Sequence, residues 1–233
     1  MDWLGEDLLL LALDAGRGSL ERTFVISYAL MGAELVQLAA SGRIDIVDDQ
    51  IVVKNAAPTG DADLDAALAR IAEQASPPRP GEWVARPPPH INSRYLQRLS
   101  GAGLICQETR FRITSWVQSS DFVPWPAPTR WRISDAARLT EARERLDVIA
   151  CSVGASDLSQ TAYAALACAL RLDRLLYRGR RRRAERDRLR EIAAGRWIAA
   201  FDTATLDAIR AATHTVAHAA HAATMAHSWS SGS

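Results

Sequence analysis

Lysine is almost missing from this chain of 233 residues: Lys54 is the one example, so 27 of the 28 basic residues are arginine. Cysteine is nearly as scarce. Cys106, Cys151 and Cys168 are too few and too scattered for a disulfide framework or a zinc site, which makes a reducing, cytoplasmic setting the expectation. Long apolar runs are missing too. Leu8–Leu13 is apolar but short, and acids rather than a basic segment precede it, so it does not read as a signal peptide. Nothing approaches the roughly 20 apolar residues of a membrane span, so any membrane contact is expected to be peripheral. A net charge of +1 supplies no bulk field for nucleic acid or an anionic surface.

Catalytic signatures are also lacking. The chain has no glycine loop with Lys and Ser/Thr for phosphates, no nucleophile elbow and no His-Glu-x-x-His. His90 stands alone in a proline loop. His214, His218 and His221 share one helix face, with His227 beyond them; an exposed, alanine-rich helix explains them more simply than a metal does. The expectation is no enzyme, no catalytic residue, no metal and no cofactor.

What is present begins with Ala56–Ala67. Pro58 holds the preceding backbone extended, Gly60 permits a sharp turn, and Asp61 reads as a helix cap. Leu64, Leu68 and Ile71 then fall on one helical face, and Asp61, Asp63 and Asp65 favour the positive end of the helix dipole. Asp61 and Asp65 are four apart, but with that role to hand no acid–base work is assigned to them. Upstream, Ile44–Val47 and Gln50–Val53 flank Asp48-Asp49, the pattern of a β-hairpin.

The same order of helix, glycine and hairpin recurs. Leu38…Gly42-Arg43-Ile44 parallels Leu99…Gly103-Leu104-Ile105, and a second hairpin is expected with Leu104–Gln107 and Arg110–Ile113 around Glu108-Thr109. This unit also describes the helix and wing of a winged-helix module, so a nucleic-acid reading is carried. Further helices are expected over Leu4–Leu13, Arg22–Ser41, Asp61–Ala75, Ile91–Ala102, Asp135–Ile149, Leu158–Leu176, Arg178–Ala194 and from Arg196 to about Ala223, with one short turn at Glu82–Ala85. Leu8, Leu11, Leu35, Leu38, Leu64, Leu68 and Leu166 are the expected core. Ser115–Arg130 reads as an irregular loop whose tryptophans either tuck it onto the core or anchor it at an interface. Arg180–Arg183 is the strongest positive run, with Glu185, Asp187 and Glu191 close behind it.

Three stretches resemble the Golgi phosphoprotein 3 family in order and spacing: Leu4–Asp14, Leu30–Ile46 and Ala57–Leu68. A weaker likeness runs through Tyr95–Ile105 and the helices after Gln160. The resemblance implies a mainly α fold, a helical core wrapped by amphipathic helices with a short hairpin, and the residues themselves give two short β-hairpins. One domain is expected over residues 1–227; the Ser/Gly tail at 228–233 reads as disordered, and the Ala/Arg-rich composition resembles a bacterial member. Eukaryotic members are peripheral membrane proteins that bind phosphatidylinositol 4-phosphate through one tryptophan and three arginines, and an apolar hairpin dips into the bilayer. They also bind the cytoplasmic tails of glycosyltransferases.

Carried over by position, the tryptophan falls at Arg22 and the first arginine at Met31. The other two fall near Pro89 and Asn92, with Arg94 or Arg98 as stand-ins if the register slips. Arg22, Met31, Asn92, Arg94 and Arg98 are therefore the candidate headgroup residues, and an anionic phospholipid headgroup is the expected partner. The expected function is a non-catalytic, cytoplasmic, peripheral lipid binder. A soluble protein-interaction module that has lost lipid binding comes second. A nucleic-acid binder ranks third, because non-specific affinity for DNA needs a basic face. Oligomeric state is not legible.

Overall fold

Leucine at nearly every position from Leu8 to Leu13 leaves the first helix no solvated side. In the computed structural model, which describes residues 4–16, 18, 23–108, 130–152, 158–194, 214–216 and 218, this helix is α1, Leu4–Ala15. Leu8 to Leu11 are each wholly buried. Around α1 pack α2 (Thr23–Ala40), α5 (Ile91–Gly101), α6 (Ala136–Cys151), α7 (Leu158–Ala169) and α8 (Leu172–Leu176). The outer elements are α3 (Ala62–Ala72), α4 (Pro80–Val84) and α9 (Arg183–Ala193), which a 3-10 turn over Arg180–Arg182 precedes. All seven expected core leucines are buried within one continuous hydrophobic cluster. The fold is mainly α with two antiparallel hairpins, as the sequence implies.

The first hairpin has the expected bounds. β1 (Ile44–Val47) pairs with β2 (Gln50–Val53), Ile46 opposite Ile51. Asp48 and Asp49 both take positive φ, at 52° and 61°, the conformation that a two-residue turn of this hand requires and that Asp tolerates. The repeat also holds at the level of hydrogen bonds. After α2, Arg43 N–H donates to Leu38 O at 2.9 Å; after α5, Leu104 N–H donates to Leu99 O at 2.9 Å. Gly42 and Gly103, at φ of 67° and 74°, make the left-handed step in each. One helix-ending device thus feeds both hairpins.

Two expectations need correction. The strand paired with β3 (Ile105–Glu108) is β4, Arg130–Ile133, not Arg110–Ile113, and Glu108 lies within the strand rather than in a turn. A turn reading takes the nearest candidate run, whereas this pairing is fixed at a distance: Trp131 N–H donates to Gly18 O at 2.8 Å, tying β4 to the end of α1. Residues 110–113 lie outside the described residues. The helix expected over Leu158–Leu176 is broken. Arg171, at φ 60°, separates α7 from α8, and the turn places buried Asp173 within 2.7 Å of Arg190 Nη2. The tryptophan loop, residues 196–213 and the tail lie outside the described residues. Residues 214–216 and 218 are helical.

Candidate functional site: the α2–α3–α5 ion network

The Pro-Thr-Gly-Asp stretch does more than start a helix. Asp61 caps α3, its Oδ1 accepting from Asp63 N–H at 2.8 Å and Leu64 N–H at 3.1 Å. Thr59 is held by Asp65, whose Oδ1 accepts from the Thr59 backbone N–H at 2.6 Å and the hydroxyl at 2.7 Å. These bonds depress the Asp65 carboxyl below its usual range. Arg43 Nη2 donates to Pro58 O at 2.9 Å. Backbone and side chains therefore fix the direction in which Asp61 and Asp63 point, and both point at α5.

Two arginines one turn apart on α5 receive them. Arg94 Nη1 lies 3.1 Å from Asp63 Oδ1, and its Nη2 lies 3.2 Å from Oε1 of Glu34 on α2. Arg98 Nη1 reaches Asp61 at 3.0 Å and Asp63 at 3.2 Å, and its Nε lies 2.9 Å from Glu6 on α1. The Arg98 guanidinium also stands 4.7 Å over the Tyr95 ring. Four carboxylates from three helices thus converge on two guanidinium groups.

Glu34 is the buried member. Its side chain has no exposed surface, and Oε2 has no hydrogen-bond partner among the described residues. Burial pushes its carboxyl up to about 8, against the opposing pull of Arg94. A proton on Glu34 is consistent with the charge count, since Glu6, Asp61 and Asp63 already outnumber Arg94 and Arg98. Nearby, Arg70 stacks over the Trp83 ring at 4.3 Å, and burial lowers its pKa.

A second carboxylate is enclosed on α1. Asp7, wholly buried, is met by Arg138 Nη2 at 2.5 Å and Arg145 Nη1 at 2.7 Å, both from α6. Burial still raises its pKa. Glu6 and Asp7 together bind α1 to α5 and α6.

The candidate headgroup residues distribute as follows. Met31 is fully buried on α2, one turn before Glu34. Asn92 is the second residue of α5 and is half-buried, two residues before Arg94. Arg94 and Arg98 keep about a third of their side-chain surface, 31% and 30%. The α2–α5 contact sets Arg94 against Glu34, one turn along α2 from Met31. Arg22 lies outside the described residues. Glu34, Glu6, Asp61 and Asp63 as acceptors for arginine were not anticipated. The available signal was the i, i+4 pair Arg94 and Arg98 alongside Asp61-x-Asp63.

The Golgi phosphoprotein 3 family profile matches residues 4–212, nearly the whole chain. This chain belongs to the Golgi phosphoprotein 3 family. The match takes in α1, both hairpins, the Pro-Thr-Gly-Asp turn and the α5 arginines. A comparison with curated proteins finds no match. Among the described residues no helix is long and apolar enough to cross a membrane, and no group of side chains is arranged to hold a metal ion.

Proposed function

We propose that this chain is a non-catalytic peripheral membrane protein that binds anionic lipid headgroups of the phosphatidylinositol 4-phosphate class. The family match over residues 4–212 carries this reading. The headgroup residues proposed are Arg22, Met31 and Asn92, at or near the family's pocket positions, with Arg94 and Arg98 as stand-ins. Guanidinium forks suit phosphate oxygens. Met31 donates nothing, however, and Arg94 and Arg98 are already held by carboxylates. A phosphate must compete with Asp61 and Asp63, so the binding expected is weak, sensitive to salt and only slightly selective among anionic lipids. The test is flotation of the full chain with phosphatidylcholine vesicles, with and without phosphatidylinositol 4-phosphate.

The same ion network favours a second reading. Guanidinium groups saturated by their own fold are structural, and a protein-interaction module that keeps the scaffold without the lipid needs nothing else from them. Absence of flotation with every anionic vesicle selects this reading.

A further inference from the structure

Most arginines of the described fold have an assigned partner. Arg94, Arg98, Arg138, Arg145 and Arg190 meet carboxylates. One stretch gathers several exceptions. Arg174, Arg178, Arg180 and Arg181 are exposed and have no carboxylate partner among the described residues. Arg182 and Arg183 are also exposed, and their acidic contacts among the described residues are long, 3.5 Å to Asp147 and 3.4 Å to Asp187. Asp147 already accepts from the Tyr177 hydroxyl at 2.7 Å.

The run also sits at the wrong end of a helix. Arg180–Arg182 form the 3-10 turn that enters α9, and no side chain among the described residues caps that N-terminus. The helix dipole is positive there, and so are the side chains. An anion would relieve both. A cavity of about 340 Å³ opens beside the run, lined by Arg143, Arg178 and Arg182, by Asp14 and Asp147, which pair with Arg143 and Arg182, and by Leu175 and Leu176. Asp14 lies eight residues along α1 from Glu6, so the cavity is roughly 12 Å from the α5 network and separate from it.

We infer that this arginine face is a second anion-contact surface, one that docks onto the phosphates of an anionic bilayer. The inference deepens the membrane reading above and rests on it. A bilayer fits better than a nucleic acid because apolar surface borders the arginines: Leu175 and Leu176 are half-buried at the cavity, and Val148, next to Asp147 on α6, is 62% exposed. An interface with headgroups above acyl chains accommodates both kinds of surface.

The experiment uses the full chain and phosphatidylcholine vesicles carrying phosphatidylglycerol, without phosphoinositide. The Arg180→Gln/Arg181→Gln variant is compared with Arg79→Gln/Arg130→Gln, which removes the same charge from exposed arginines elsewhere. Each basic residue near an anionic surface contributes on the order of 1 kcal/mol, so the first variant should partition roughly thirtyfold more weakly while the second stays near wild type. Circular dichroism checks that both are folded. Equal loss in the two variants overturns the inference in favour of bulk charge. Wild-type flotation that Arg180→Gln/Arg181→Gln leaves unchanged also overturns it, while the membrane reading stands. No flotation of the wild type on these or phosphatidylinositol 4-phosphate vesicles removes the membrane reading and the inference with it. Binding to a random DNA duplex, lost in Arg180→Gln/Arg181→Gln and without flotation, would reassign the face to nucleic acid.

Discussion

Glu34 and Arg94 meet across the contact between α2 and α5, Oε1 to Nη2 at 3.2 Å, with Glu34 wholly buried and its other oxygen unpartnered among the described residues. Burial outweighs the guanidinium and raises the Glu34 pKa from 4.5 to about 8. Between those values the folded state holds a proton that the unfolded chain has released. Stability therefore falls as pH rises through this window and levels off above it. Asp7, also raised by burial, contributes with the same sign. Glu34→Gln keeps a group able to accept from Arg94 and removes the titration. Its melting temperature should depend less on pH than that of the wild type; equal slopes for the two proteins would rule out the raised Glu34.

Asp61 has two separable duties. It caps α3 and accepts from Arg98 at 3.0 Å. Asp61→Ala loses both and should cost about 1–2 kcal/mol, most of it from the cap. Asp61→Asn keeps the cap and loses only a partly exposed ion pair, typically ~1 kcal/mol or less. Urea denaturation of the two variants separates the duties, and identical losses would show that the cap contributes nothing.

The core assignment is the simplest to check. Leu38 is 0% and Leu68 4% exposed, one at the end of α2 and the other on the inner face of α3. Truncation of either to alanine should cost roughly 2–5 kcal/mol, the lost transfer energy plus the cavity left behind. Unchanged melting temperatures in both variants would contradict the packing described.

How much was legible depended on how local the cause was. The turn at Asp48-Asp49 could be read because two residues between alternating strands define it. The Asp61 cap and the glycine exits at Gly42 and Gly103 could be read for the same reason. The partner of β3 could not, because it is set by Trp131 reaching Gly18, a contact between distant parts of the chain. The break at Arg171 carries no glycine or proline to announce it. At the site, family likeness gave positions at Arg22, Met31 and near Pro89 and Asn92, with Arg94 and Arg98 as stand-ins. It did not show that their charge is already spent. Glu34 lies 60 residues from Arg94, and an acid amid apolar residues gives no sign of its partner.

The ion network gives headgroup binding a pH dependence of its own. Above about 8 Glu34 is a carboxylate, and it competes with any phosphate for Arg94. As pH falls through that value Glu34 takes a proton, Arg94 loses a competitor, and an anion at α5 should bind more tightly. A phosphomonoester's second ionisation lies near 6, so the ligand's own charge is nearly constant across this window and the change belongs to the protein. Flotation with phosphatidylinositol 4-phosphate vesicles should therefore strengthen on going from mildly alkaline to neutral pH. The Glu34→Gln variant, with no proton to gain, should bind throughout as the wild type does at neutral pH. Wild-type binding that is flat across the window, or a variant that follows the same curve, would place the headgroup away from Arg94.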